Sequence, residues 1–391
     1  MFNAYASPLA IPLIMQALST LLAFLIALGI LVSFHEFGHY FAARCCGVKV
    51  LRFAIGFGKP LFTFRDRQQT EWVIAILPLG GYVKLMNGRD PEQTISIADQ
   101  ARDFDRKPLW QRSLIVAAGP IANFVLALIL LSVIYFSGVP QLPAQLQTPP
   151  ATSLAAKVGL SAGDRVVGWR SLALEENVGL GADAFTPVVS WNALRWYLLD
   201  GITAHNGFEL QVENRRGGKS VVRFLSEQLP EVRPKADVFL ELGLFPLVTN
   251  PPQWFELQLA PVQAVSYAAE RVWLITKVST RMMLGLVTGS TSLAQIGGPL
   301  SIADMAGKSA QVGWQPYLAF LALMSISIGL LNLIPLPMLD GGQLLYDAWE
   351  LVSGRRLPEA LQAVLQKSSF ILLTFLMLLA LFNDFQRYLS P

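Results

Sequence analysis

Charge is what this chain of 391 residues has least of: 15% of its residues are Asp, Glu, Lys or Arg, against about 25% in a soluble domain. A shortfall of that size excludes a disordered chain, a nucleic-acid binder and an ordinary cytosolic enzyme. The net charge is only +3, so no global field favours a polyanionic partner. Cysteine is scarce too, and the two present, Cys45 and Cys46, are adjacent. Sequence neighbours rarely bridge each other, which excludes a disulfide scaffold; both are expected as small buried apolar residues. Histidine occurs three times, and no basic residue precedes Arg44. The apolar stretch before Arg44 therefore lacks the cationic head of a cleaved leader and is expected to be retained. What is plentiful is apolar, with 53% hydrophobic residues and a mean hydropathy of +0.46. This is the composition of a membrane protein.

Four apolar runs, at about 18–43, 114–139, 317–337 and 368–385, approach the 20 or so residues a span needs. The fourth is strongly apolar only over 370–382, with Asn383, Asp384 and Arg387 as its polar exit. Twelve basic residues lie between Arg44 and Arg112, and Arg355, Arg356 and Lys367 follow the third run. Both segments are expected to be cytoplasmic. The termini and the stretch 140–312 then face the other side. The expected class is a mainly α-helical polytopic membrane protein, its four spans interrupted by an inserted α+β domain. The expected division is a membrane core in two halves, 1–139 and 313–391, around a single domain at 140–250 and an amphipathic linker at 251–312.

Within the insert, 208–212 and 221–225 read as strands around the turn Arg216–Lys219. Ser153–Val167, with its Gly-Leu and Gly-Asp, resembles the hallmark of bacterial PDZ domains. The resemblance implies a second helix over Trp191–Asp200, a closing strand over Phe239–Leu244 and a possible peptide ligand for the domain. It leaves 171–190 unplaced. The stretch 261–286 has helical periodicity broken by Arg271, Lys277 and Arg281. It suits either a membrane surface or the underside of the inserted domain.

Two of the three histidines form His35-Glu36-Phe37-Gly38-His39 near the end of the first run. Residues i and i+4 share a helix face, so both imidazoles reach one ion, with Glu36 beside them to take a proton from its water. An acidic residue inside a span costs about 2.5–3.5 kcal/mol and marks a function or a partner. A catalytic zinc usually has three protein ligands. His205 falls in the inserted domain, on the wrong side, and is expected at the surface. Asp340, in Asn332-Leu-Ile-Pro-Leu-Pro-Met-Leu-Asp340-Gly-Gly, lies at the right depth, where prolines and glycines break the third span. Such a break is tolerated around a buried or water-filled site. Two histidines and an aspartate would also suit iron; the H-E-x-x-H spacing favours zinc.

These motifs, with Gly56-Phe-Gly58, Leu77–Lys84, Ala118-Gly-Pro-Ile-Ala-Asn123, Gly298–Ile302 and Leu381–Phe385, resemble the site-2 protease family of intramembrane zinc metalloproteases, in its regulator-of-sigma-E branch. The resemblance implies Zn2+ held by His35, His39 and Asp340, with Glu36 as general base. It implies a bacterial inner-membrane enzyme with a periplasmic PDZ domain. Its substrate would be the transmembrane segment of a single-pass anti-sigma factor, with remnant signal peptides a second candidate. That branch commonly carries two PDZ domains, and there is room here for one. A silent PDZ-displaying scaffold, a metalloprotease with a Glu third ligand and a transporter are the competing readings.

Residues 70–77 and 82–85 read as an apolar hairpin around the turn 78–81, within a β-region spanning 50–90. This resembles the family's membrane-reentrant β-loop, whose edge could pair with substrate or merely plug the chamber. Gly56, Gly58, Gly80 and Gly81 permit close backbone approach there. Asn332 resembles a family asparagine placed near substrate.

Overall fold

In lipid the backbone has no water to bond to, so an uncharged apolar run closes its own hydrogen bonds as a helix. The computed structural model describes residues 10–90, 95–172, 185–230, 238–289 and 297–389. In chain order the elements are α1 (Ala10–Cys45), β1 (Val50–Arg65), β2 (Glu71–Leu85), α2 (Leu109–Ser137), β3 (Val139–Gln141), α3 (Leu154–Lys157), β4 (Arg165–Ser171), β5 (Thr186–Pro187), α4 (Trp191–Thr203), β6 (Phe208–Glu213), β7 (Lys219–Phe224), α5 (Val238–Leu242), β8 (Phe255–Leu257), α6 (Pro261–Thr288), α7 (Pro299–Val312), α8 (Trp314–Leu333), α9 (Asp340–Ser353) and α10 (Glu359–Leu389). Among the described residues, four helical stretches are long and apolar enough to cross a membrane: Met15–Cys45, Leu109–Ser137, Trp314–Leu333 and Glu359–Arg387. The chain divides into two compact units, 1–131 with 297–391, and 132–296. The stretch 251–312 is thereby split, with α6 in one unit and α7 in the other.

In the first unit, small residues set the helix spacing. Ala23, Ala27 and Leu31 of α1 pack on Leu126, Ala306, Phe320 and Leu321, the close approach that small side chains allow in membranes. A Cβ at Gly38 would lie 2.2 Å from the Ala118 carbonyl, so α1 and α2 meet backbone to backbone. Of the polar residues after the fourth apolar core, Arg387 is exposed, whereas Asn383 and Asp384 turn inward. Asp384 is fully buried and accepts from the Gly298, Leu300 and Ser301 amides at 2.9, 3.0 and 3.1 Å, capping α7 from α10.

The β-region also departs from the hairpin expected. Residues 70–77 and 82–85 do not pair with each other; each pairs with β1. The spatial order is 60–65, 71–75, 50–55, 81–85, because both long strands bend: Phe53 faces Trp72 on one side and Val83 on the other. Residues 81–85 form one edge and run along α1. Cys45 is exposed, against expectation, while Cys46 packs half-buried beside Ala42, Ala43 and Val48.

In the second unit, β5-β4-β6-β7 form an antiparallel sheet with α4 on its core face. Phe208, Leu210, Phe224, Leu194 and Leu198 are fully buried between them. The expected strand over Phe239–Leu244 is instead α5, and pairing moves to 245–247, where Leu247 bonds back to Gln145 at 2.8 Å. Much of 171–190 lies outside the described residues. His205 is exposed, as expected. The two settings open to α6 are resolved by its buried face: Leu274 and Val278 join this core, and Lys277 and Arg281 each pair with Asp200 of α4 at 2.6 Å. Arg271, 5% exposed, lies over the rings of Tyr197 and Tyr267.

Candidate metal centre

One turn of α1 presents His35 and His39 toward the start of α9. Their Nε2 atoms are 3.3 Å apart and lie 3.2 and 3.5 Å from Asp340 Oδ2. His39 Nδ1 sits 2.9 Å from the Ile115 carbonyl, which can only accept. The His39 proton therefore belongs on Nδ1, and Nε2 presents a bare lone pair. Asp340 Oδ2, also an acceptor, is buried without a hydrogen-bond partner. His39 Nε2 and Asp340 Oδ2 are both acceptors, and they repel unless a cation, or a proton on His35 Nε2, lies between them. Ligand atoms about 2.0–2.1 Å from a tetrahedral zinc lie about 3.3–3.4 Å from each other, the spacing found here. The three residues fit a zinc ion.

The break that delivers Asp340 is local. α8 ends at Leu333, and short-range bonds carry the chain through 334–339. Gly341 and Gly342 let it fold back, since a Cβ at either would meet the Ile334 or Leu336 carbonyl at 2.2 or 2.3 Å. Polar ties from α9 to α2 fix the helix that follows: Ser113 donates to Asp347 at 2.8 Å and Arg112 pairs with Glu350 at 2.8 Å.

The sequence-expected residues divide into three groups. His35, His39 and Asp340 converge, and they form the sole such cluster among the described residues. Glu36 lies beside them against β2, where a Cβ on Gly81 would sit 3.1 Å from its Cγ. The others stand further off. Gly56 (φ +88°) abuts the Leu77 carbonyl, Gly80 abuts the Phe57 ring, and Gly58 (φ +90°) is more open. Gly56 and Gly58 line a cavity of about 230 Å³ inside the bent sheet, with Arg52 and Tyr82. Asn332 is half-buried one residue before the end of α8.

Two residues of α2 at the centre, Gly119 and Asn123, fall in the Ala118–Asn123 motif, to which the sequence alone assigns no role. Gly119 gives its missing side chain to the histidines: a Cβ there would lie 2.2 Å from His39 Nε2 and 2.9 Å from His35 Cε1. Asn123, fully buried, lies 3.2 Å from His35 Nδ1. The motif marked both positions, and a polar amide inside an apolar run was a further signal for Asn123; neither signal says what the side chain, or its absence, meets.

Against known proteins, the pattern described as peptidase family M50 matches residues 23–376, which contain the whole centre. The chain belongs to peptidase family M50. It is 34% identical to "Protease RseP" of Yersinia pestis over 95% of this chain and 100% of that one. It is 33% identical to "Regulator of sigma-E protease RseP" of Escherichia coli K12 over 94% and 98%. As an M50 member this chain is a zinc metalloprotease of the site-2 type, the class that acts in regulated intramembrane proteolysis. The alignment to the Escherichia coli protein runs over 453 residues, more than the 391 here, so that relative carries segments with no counterpart in this chain.

Proposed function

We propose that this chain cleaves single-pass membrane proteins within their transmembrane segments, with His35, His39 and Asp340 holding zinc and Glu36 as general base. The observation that carries the reading is the convergence of His35 Nε2, His39 Nε2 and Asp340 Oδ2 at 3.2–3.5 Å from one another, with the aspartate oxygen buried and without a hydrogen-bond partner. Zinc bound there would polarise the scissile carbonyl and lower the pKa of water from about 15.7 toward 7. Glu36 takes the proton of the attacking water and returns it to the leaving amine. His39 is oriented by Ile115, and Asp340 by the ties of α9 to α2.

A peptide bond in a helix is shielded by its own hydrogen bonds, so the substrate must be extended first. The sheet edge at 81–85 runs past Glu36 and suits an added strand. Gly81 admits the close approach; Gly56, Gly58 and Gly80 shape the bend; Asn332 offers an amide to an unpaired substrate carbonyl. Phe57, Leu61, Phe62 and Leu77 of this sheet are exposed, which suits immersion in a bilayer rather than water.

The name "Regulator of sigma-E protease" borne by relatives supports an anti-sigma factor as the substrate class, with remnant signal peptides a second class. The Ser153–Val167 motif and the sheet-plus-α4 arrangement support one PDZ domain in the second unit, which would read the substrate's shortened ectodomain or bind a peptide. The four apolar helices and the relatives named regulator of sigma-E protease support a bacterial inner-membrane protein, and the basic residues between α1 and α2 support placing this domain and both termini on the periplasmic side. Asp340→Ala tests the centre. It should lose stoichiometric zinc and all cleavage of a co-reconstituted single-pass substrate; full zinc retention would place the third ligand elsewhere.

A further inference from the structure

His35 Nε2 faces His39 and Asp340, so Nε2 is its ligand atom in the reading above, on which this inference rests. A neutral imidazole carries one proton, and with Nε2 given to the metal that proton sits on Nδ1. Whatever faces Nδ1 must accept. The group there is the Asn123 amide, 0% exposed, its Nδ2 placed 3.2 Å from His35 Nδ1. Its Oδ1, the acceptor this geometry demands, is buried with no partner. The two ends of an amide have the same shape, so hydrogen bonding decides between them. His39 shows what the site requires, since its Nδ1 faces a group that can only accept, the Ile115 carbonyl at 2.9 Å.

We infer that Asn123 is a positioning residue for the metal, its amide turned so that Oδ1 accepts from His35 Nδ1–H. It fixes the tautomer and ring plane that aim Nε2 at the ion. α2 then serves both ligands from one side, Ile115 for His39 and Asn123 for His35. Ser325 of α8 donates to the Asn123 main-chain carbonyl at 2.7 Å, bracing this segment from the span that leads to Asp340. Turning the amide moves its unpaired end from acceptor to donor. A bond to a metal-polarised imidazole N–H outweighs that change. A merely structural asparagine, gluing two spans, would have no preference for an acceptor at this end.

The test uses the full-length protein in detergent, titrated with a zinc chelator, and the d–d absorption of its cobalt-substituted form. Asn123→Leu keeps the volume and removes the acceptor. It should weaken zinc 10–100-fold and alter the cobalt spectrum. Asn123→Asp keeps an acceptor at the same place. It should hold zinc within a few-fold of wild type, or tighter, and restore the spectrum. Circular dichroism and thermal unfolding report folding in both variants. If Asn123→Leu fails to fold, the aspartate variant decides alone: zinc affinity near wild type supports the inference, and a loss of tenfold or more overturns it. Leucine and aspartate variants that both bind like wild type, or lose zinc equally, also overturn it. A wild type that binds no zinc at all overturns the metal centre itself, a result distinct from any of these.

Discussion

Gly119 carries the sharpest steric demand at the centre. The His35 and His39 rings occupy the space its side chain would fill, and both are fixed, one by Asn123 and the other by Ile115. Gly119→Ala should therefore abolish zinc binding while leaving the four long helices intact. Metal content by mass spectrometry, beside a helical circular dichroism spectrum unchanged from wild type, checks this; normal occupancy would mean the rings can retreat. The central ligands were readable because His35, Glu36 and His39 sit within one helical turn, and because Asp340 follows a break at matching depth. Gly119 and Asn123 were visible only as members of the Ala118–Asn123 motif; their roles were not, because what they touch lies about 80 residues away along the chain.

Among the elements, α7 owes its start to a distant residue. Pro299 suits the first helical turn, but the exposed amides there are satisfied by Asp384 of α10, about 85 residues on. No local pattern announces that cap, and the same residue read in isolation resembles a polar end to a span. Asp384→Ala leaves three amides unpaired, at a cost of about 1–3 kcal/mol. Hydrogen exchange at Gly298–Ser301 should quicken sharply, and unchanged protection would contradict the cap. The sheet of β1 and β2 was half legible: its apolar alternation marked the strands, while the bends that put 50–55 between 71–75 and 81–85 arise from long-range pairing.

A second element makes its own pH prediction. Burial alone would raise the Glu209 carboxyl of β6, but hydrogen bonds from Arg170 (3.1 Å) and Arg223 (2.8 Å) outweigh it and hold it below its ordinary value of 4.5. A depressed carboxyl contributes stability that is complete above 4.5 and disappears as pH falls through the lower folded value. Protection of the Phe208–Glu213 amides in the intact protein should therefore exceed that of Glu209→Gln at pH 7. The gap should close on acidification, and equal protection at pH 7 would contradict the account.

Over the whole molecule, every residue assigned to the metal centre belongs to the first unit, and the Glu209 network to the second. Glu209→Gln should accordingly leave zinc affinity unchanged within twofold. Composition foretold the membrane core and the mixed insert, since scarcity of charge is a property of whole segments. It could not foretell that α6 sides with one unit and α7 with the other, because both are moderately amphipathic and tertiary packing chooses. The central claim, that the converging acceptors hold a zinc ion that Glu36 serves as base, has one direct measurement. Wild type and Glu36→Gln, purified in detergent, are assayed for zinc and for cleavage of a single-pass substrate. The account predicts stoichiometric zinc in both and cleavage only by wild type; zinc in neither, or equal turnover by both, would contradict it.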